Sequence, residues 1–271
     1  MQSTTSEPRI AFESSGLAGP RILMVMGFGM RGAVWLPQVQ DLQRDHTLAW
    51  FDNRGIGESE PTPPRFGMVD LAADALRVAD QLGWSDFHLV GVSLGGMVSQ
   101  ELALLAPERV RSLTLIATHA GGPLGILPTL RGLYHWINAA FGPQLRRVEH
   151  LTRLLYPASF LATVNPEELR ARMQLQVGRK PPTRTALRQL VAVIRHDTRL
   201  RLRAIRPPTL VIQPKGDLLV RPFHSALLHA AIPGARLVAI EDAGHGLTFH
   251  AAAAVNAAIR DHIARHEVGT G

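Results

Sequence analysis

Six short apolar runs, each ending in glycine or turn residues, constrain the fold of this chain more than any other feature. They are RILMVM (21–26), TLAWF (47–51), FHLVGV (87–92), SLTLIAT (112–118), PTLVIQ (208–213) and ARLVAI (235–240). Continuous apolar runs of this length read as strands buried on both faces, and such strands belong to parallel sheets. Helical patterns lie between them at 69–82, 97–105 and 225–232. Alternating strands and helices predict an α/β fold with a mostly parallel, doubly wound sheet.

The alternation stops at Gly121. From there to about Ile205 the sequence shows helical stretches around 126–141, 144–155, 166–177 and 184–195. Gly142-Pro143, Tyr156-Pro157, Asn165-Pro166 and Pro181-Pro182 separate them, as helix breakers do. The expected organisation is a core in two parts, 1–120 and 206–271, with an all-helical cap inserted at 121–205. One cap segment carries Leu127, Leu130, Leu133, Tyr134, Trp136, Ile137 and Phe141 close to helical spacing. Such a stripe predicts cap core packed on the main domain, with Trp136 a candidate for lining a substrate pocket.

Composition removes whole classes of function. The 271 residues are 46% hydrophobic and 19% charged, enough for a sizeable core and too little charge for a disordered chain. There is no cysteine, so disulfides, thiolate metal sites and thiol catalysis are excluded. The opening MQSTTSEPRIAFESS has neither the basic nor the apolar part of a secretory signal. No stretch reaches the roughly 18 apolar residues of a membrane span. A cytoplasmic protein without a membrane span is the expectation. Net charge is +7, yet residues 121–206 alone hold 15 basic and 4 acidic side chains, a net +11. Those charges are dispersed rather than run together, which reads as solvated helix faces in an arginine-rich chain, with attraction for an anionic substrate as the alternative and a nucleic-acid site behind both.

The sharpest motif is GVSLGG, Gly91 to Gly96, between a strand and a helical stretch. A G-x-S-x-G at a strand-to-helix turn is a nucleophile elbow, in which the serine is strained and Gly91 and Gly95 leave room for the close turn. Ser93 is therefore the candidate nucleophile. A serine hydroxyl needs a base, and the base needs an orienting acid. Past the strand 208–213 comes Lys215-Gly216-Asp217, and past 235–240 comes Glu241-Asp242-Ala243-Gly244-His245-Gly246. Asp217 and His245 are thus the expected acid and base, with Glu241 and Asp242 as neighbours suited to holding the loop. An oxyanion needs main-chain donors. The Leu94 amide follows the nucleophile, and the glycine-flanked Phe28 amide in Met26-Gly27-Phe28-Gly29 is the second candidate. His119, at the end of the strand 112–118, is either a turn residue or a pocket residue. The remaining histidines are scattered, so no metal site is expected.

MGFG (26–29), DNRGIGES (52–59), GVSLGG (91–96) and the closing stretch from Gly216-Asp217 through IPGARL (232–237) to AGHG (243–246) resemble the α/β-hydrolase superfamily. The resemblance is to its compact branch with a helical cap and spans nearly the whole chain. It implies structural support from DNRGIGES, with no catalytic role for Asp52 or Arg54. Met26 stands where most relatives have histidine, similar to the aclacinomycin methylesterase-like group, and implies a different support for the oxyanion loop. Pro214 replaces a glycine common before the acid. Relatives that open epoxides or remove halide carry aspartate at the elbow. Ser93 instead implies acyl chemistry on a small ester, thioester or lactone, without a cofactor. A C–C bond hydrolase or a cofactor-free perhydrolase of the haloperoxidase kind uses the same triad, and a non-catalytic ligand-binding protein is the third reading.

Overall fold

The computed structural model describes residues 1–16, 18–61, 65–122, 125, 127–177 and 182–267. Ile126 and Pro181, used above as edges of cap helices, lie outside them. The apolar runs form strands β3 (Arg21–Val25), β4 (Thr47–Phe51), β5 (Phe87–Val92), β6 (Val110–Ile116), β7 (Thr209–Pro214) and β8 (Arg236–Ile240). Two strands precede them, β1 (Gln2–Ser3) and β2 (Ala11–Ser15). The eight strands make one sheet in the order β1-β2-β4-β3-β5-β6-β7-β8. Pairing is parallel from β4 through β8 and antiparallel for β1 with β2 and for β2 with β4.

Helices cover both faces. In chain order they are α1 (Leu36–Leu42), α2 (Met68–Gln81) and α3 (Leu94–Leu105), then, after the cap, α9 (Phe223–Ala231), α10 (Leu247–His250) and α11 (Ala252–Glu267). Alternate residues of one strand serve opposite layers. Leu23 and Val25 join Leu71, Ala75, Val98 and Leu102 of α2 and α3 in one core. Ile22 and Met24 join Val39 and Leu42 of α1 and Val255 and Ile259 of α11 in the other. Each such side chain, fully withdrawn from water, contributes about 1.5–3 kcal/mol. Burial on both faces is why β3 to β7 read as unbroken apolar runs, while β8 at the sheet's edge is only half-buried.

Between β6 and β7 the cap helices are α4 (Leu130–Phe141), α5 (Gln144–Leu155), α6 (Ala158–Thr163), α7 (Pro166–Val177) and α8 (Thr183–Arg195). An isolated antiparallel bridge joins Gly121 to Asp197, and the Thr198 N–H donates to the Ala120 carbonyl at 2.9 Å. The chain therefore leaves the core and returns to it at one neck. The apolar stripe does not behave as expected. Leu130 is 86% exposed and Phe141 76%, with Leu127, Leu133, Tyr134, Trp136 and Ile137 also exposed. The buried side of α4 carries Gly132 and His135 instead. Gly132 is pressed against the Leu218 carbonyl, so the helix approaches the main domain through its smallest residue. At Gly132 this close contact leaves no room for a larger side chain, and the stripe faces outward.

Candidate active site

Ser93 sits at the tip between β5 and α3 with φ 56° and ψ −120°, a conformation rare for any residue with a side chain. Its N–H donates to the Ile116 carbonyl at 2.9 Å, and its own carbonyl accepts from the Thr118 hydroxyl at 2.7 Å. These bonds hold the strained turn. The helix start would ordinarily invite a serine to cap it, yet the Ser93 side chain makes no capping bond. Glycine is required on both sides. A Cβ on Gly95 would lie 2.0 Å from the Val25 carbonyl oxygen, and one on Gly91 2.3 Å from the Gly95 carbonyl oxygen.

Asp217 and His245 are both buried, on the loops after β7 and β8. The His245 Nδ1 lies 2.7 Å from the Asp217 Oδ2. The other oxygen, Oδ1, accepts the Leu219 and Val220 N–H groups at 2.7 and 2.9 Å. An ionised carboxylate only accepts, so Nδ1 carries the proton and Nε2 is left as the basic nitrogen. Pro214 does not disturb this turn. It ends β7, and the Asp217 N–H reaches its carbonyl at 3.4 Å. The two loops are tied by the Gly216 N–H donating to the Ala243 carbonyl at 2.8 Å. Glu241 lies 3.9 Å from the Lys215 ammonium, and Asp242 accepts from the Ser159 hydroxyl. Asp242 thus ties the loop to the cap, while Glu241 makes an exposed surface pair.

The candidate oxyanion loop follows β3 and reaches Ser93, for a Cβ on Gly27 would be 3.3 Å from the Ser93 Cβ. Leu94 is the first residue of α3, where an N–H has no carbonyl partner within the helix. The Phe28 side chain is exposed, and its main chain lies between Gly27 and Gly29. Met26 is buried and its carbonyl accepts from the Asn53 side-chain amide at 3.1 Å. Asn53 thus belongs to the support that the missing histidine left open. The Gly29 N–H donates to the Gln189 Oε1 at 2.8 Å. Asp52 accepts the Gly32 N–H at 2.7 Å, and Arg54 grips buried Asp74 with two nitrogens, at 2.5 and 2.7 Å. Both residues are scaffold, as the motif implied.

His119 is buried beside this centre. Its Nδ1 accepts the Gly121 N–H at 2.9 Å, the bond of a turn residue. Its ring centroid lies 5.5 Å from that of His224 and 6.4 Å from that of His196. Burial first, and then the fields of His196, His224 and His245, push its pKa down to about 3. His119 is therefore a neutral imidazole throughout the physiological range. Trp136 stands on the exposed side of α4, edge-on to Phe141 at 6.4 Å, and no contact joins it to Ser93 among the described residues.

The cap holds all three loops of the centre. Thr129, which caps α4, accepts from the Gly132 N–H at 2.9 Å and donates its own N–H to Leu218, next to Asp217, at 3.0 Å. At the end of α5 the Leu155 carbonyl accepts from Gly246, next to His245, at 2.8 Å. From α8 Gln189 takes the oxyanion loop. Gln189 carries no motif around it, and sequence reading missed it for that reason. Asn53 was visible within DNRGIGES without its role being readable.

The model of the alpha/beta hydrolase fold family matches residues 20–251. RutD of Azorhizobium caulinodans, named as a carbamate hydrolase, is 34% identical over 85% of this chain and 86% of its own. A thermophilic esterase from Thermogutta terrifontis, solved with malate bound, superposes with a TM-score of 0.82 at 28% identity, covering 98% of this chain and all of its own. A hydrolase from Pseudomonas aeruginosa gives 0.80 at 27% identity, covering 97% of each chain.

Proposed function

This chain belongs to the alpha/beta hydrolase fold family, and we propose that it is a serine hydrolase cleaving small carboxylic esters or lactones through an acyl-enzyme. The observation that carries this reading is the 2.7 Å bond between buried His245 and Asp217, on strand-end loops of the same sheet whose elbow strains Ser93 to φ 56°. A binding protein gains nothing from a buried carboxylate that sets an imidazole tautomer, nor from a strained serine.

The proposed steps follow from the proton positions. The Nε2 of His245 takes the Ser93 hydroxyl proton as the oxygen bonds to the substrate carbonyl carbon. The Leu94 and Phe28 N–H groups receive the resulting oxyanion, and Asp217 stabilises the imidazolium. Collapse breaks the bond to the leaving alkoxide, which takes the proton from His245. Water then gives a proton to the same nitrogen as it attacks the acyl carbon, and collapse breaks the bond to the Ser93 oxygen, which takes that proton back from His245 as the acid leaves. In a lactone the leaving alkoxide stays attached to the acid, so one product forms. The same steps on a carbamate would expel the alkoxide or the amine, the chemistry named for RutD. A cytoplasmic location is part of this proposal.

Turnover of p-nitrophenyl acetate and butyrate, with fluorophosphonate labelling read by intact mass, tests it in wild type and Ser93→Ala. Turnover and a single adduct in wild type, both lost in the variant, are expected. A folded wild-type protein with neither signal would overturn the triad.

A further inference from the structure

The α4–α5 hairpin has its polarity inverted. Leu130, Leu133, Tyr134, Ile137 and Phe141 recur at helical spacing on the solvent side of α4, and Val148 of α5 is exposed as well. A surface helix ordinarily hides such a face, and a contiguous apolar ridge of this kind marks an interaction site. Beside the ridge, between α4 and α5, lies a cleft of about 350 Å³ lined by Tyr134, His135, Arg146, Glu149, His150 and Arg153. Its floor is a pair of nearly buried imidazoles, with Nδ1 of His135 3.0 Å from Nδ1 of His150 and the Tyr134 ring edge-on to both. Arg153 shares Glu149 with its own helix at 2.9 Å, while Arg146 pairs with no carboxylate among the described residues. An apolar ridge and a cationic cleft with hydrogen-bonding walls thus stand side by side.

We propose that this hairpin seats the cap on an anionic lipid surface, with the α4 ridge in the headgroup–acyl boundary and the cleft taking a headgroup phosphate. Aromatic and leucine side chains on one face, with arginines alongside, are what an interfacial helix needs. The charge of the molecule selects this occupant. Residues 121–206 carry a net +11 while the rest of the chain carries −4, so a negative surface attracts the cap and turns the core away. A second copy is disfavoured by the same charge. A two-fold contact through the ridge would bring Arg131, Arg146, Arg147 and Arg153 towards their own counterparts with one glutamate per copy to offset them. None of these residues belongs to the catalytic machinery, so surface binding stands whether or not Ser93 is a nucleophile.

Co-sedimentation of the full chain with phosphatidylcholine vesicles, with and without phosphatidylglycerol, tests the proposal. The protein should pellet with the anionic vesicles at about 0.1 M salt and be released at about 0.5 M. Arg146→Gln should weaken partitioning by about fivefold, the worth of one cation near a charged membrane. Leu130→Glu combined with Phe141→Glu should abolish it. Because those two side chains are solvent-facing, Tm and ester turnover of the double variant should match wild type. Equal, weak pelleting with both vesicle types at low salt would overturn the proposal. So would light scattering that finds a wild-type dimer which the double variant converts to monomer, since the ridge would then belong to a second copy.

Discussion

At the scale of single residues, the decisive atom is the second oxygen of Asp217. Because Oδ1 accepts two main-chain N–H groups, any side chain placed there must keep an acceptor at that position. Asp217→Asn therefore has one orientation open to it, with its NH₂ group directed at His245. That donor forces Nδ1 to accept and moves the proton to Nε2, where the base must be free. Turnover of p-nitrophenyl butyrate should fall by about three to four orders of magnitude, while Tm stays near wild type. Retention of more than about a tenth of the rate would mean that Asp217 is not what sets the His245 tautomer for the reaction. The positions of Ser93, Asp217 and His245 were legible in the sequence because each stands just past an apolar run that folds as a strand. Their flanking glycines were legible too, as the clash of a Gly95 Cβ with Val25 explains. Gln189 was not, since one side-chain amide on a cap helix leaves no pattern that distinguishes it from a surface glutamine.

Elements tell a similar story at a larger size. Five of the six strands could be read because burial on both faces writes itself as an unbroken apolar run, and β8, half-buried at the sheet's edge, keeps the pattern in Leu237, Val238 and Ile240. β2 could not, because as an antiparallel strand towards the sheet's edge it carries Glu13, Ser14 and Ser15. The α4 stripe misled for the opposite reason. Periodicity shows that a helix has an apolar face but not that the face is buried, and Gly132 decided which side meets the core. Helix α8 reaches the candidate oxyanion loop through Gln189, and this bond ties the cap to the candidate active site. Gln189→Ala should release the Gly29 N–H and let the loop drift. The loss of one buried acceptor, about 1–2 kcal/mol, corresponds to a fall of roughly 5- to 30-fold in kcat. KM should change little, since the loop serves the oxyanion rather than the bound ester. Gln189→Glu retains the acceptor and should recover most of the rate; if it is as poor as alanine, the hydrogen bond is not what positions the loop.

The molecule as a whole stores an acid sensitivity in its interior. Burial holds His119 down to about 3 and His196 and His262 down to about 4, in the last case with a smaller push from His266. Glu101 near His196 opposes that shift without cancelling it. In the unfolded chain all three return to the ordinary value near 6.5. Between those limits the unfolded state binds more protons than the folded one, so stability rises with pH across the window and is lost as pH falls below 6.5. Each imidazole contributes a slope approaching about 1.4 kcal/mol per pH unit well inside the window. Carboxylates with depressed values also lose stability on acidification, Asp197 at about 2 beside Arg199 being the strongest case. Their contribution starts only below the unfolded carboxylate range near 4, so the two origins separate along the pH axis. Urea unfolding followed from pH 8 to pH 4.5 should show a plateau above 7 and a steepening decline from about 6.5 downward. His262→Phe keeps the volume and removes one titrating group, and should make that decline measurably shallower without abolishing it, since His88, His135, His250 and His266 are held below their ordinary value as well. A profile flat from pH 7 to 5 would mean that these imidazoles are solvated or paired in the folded state, and the burial of His119 beside His196 and His224 would have to be given up with it.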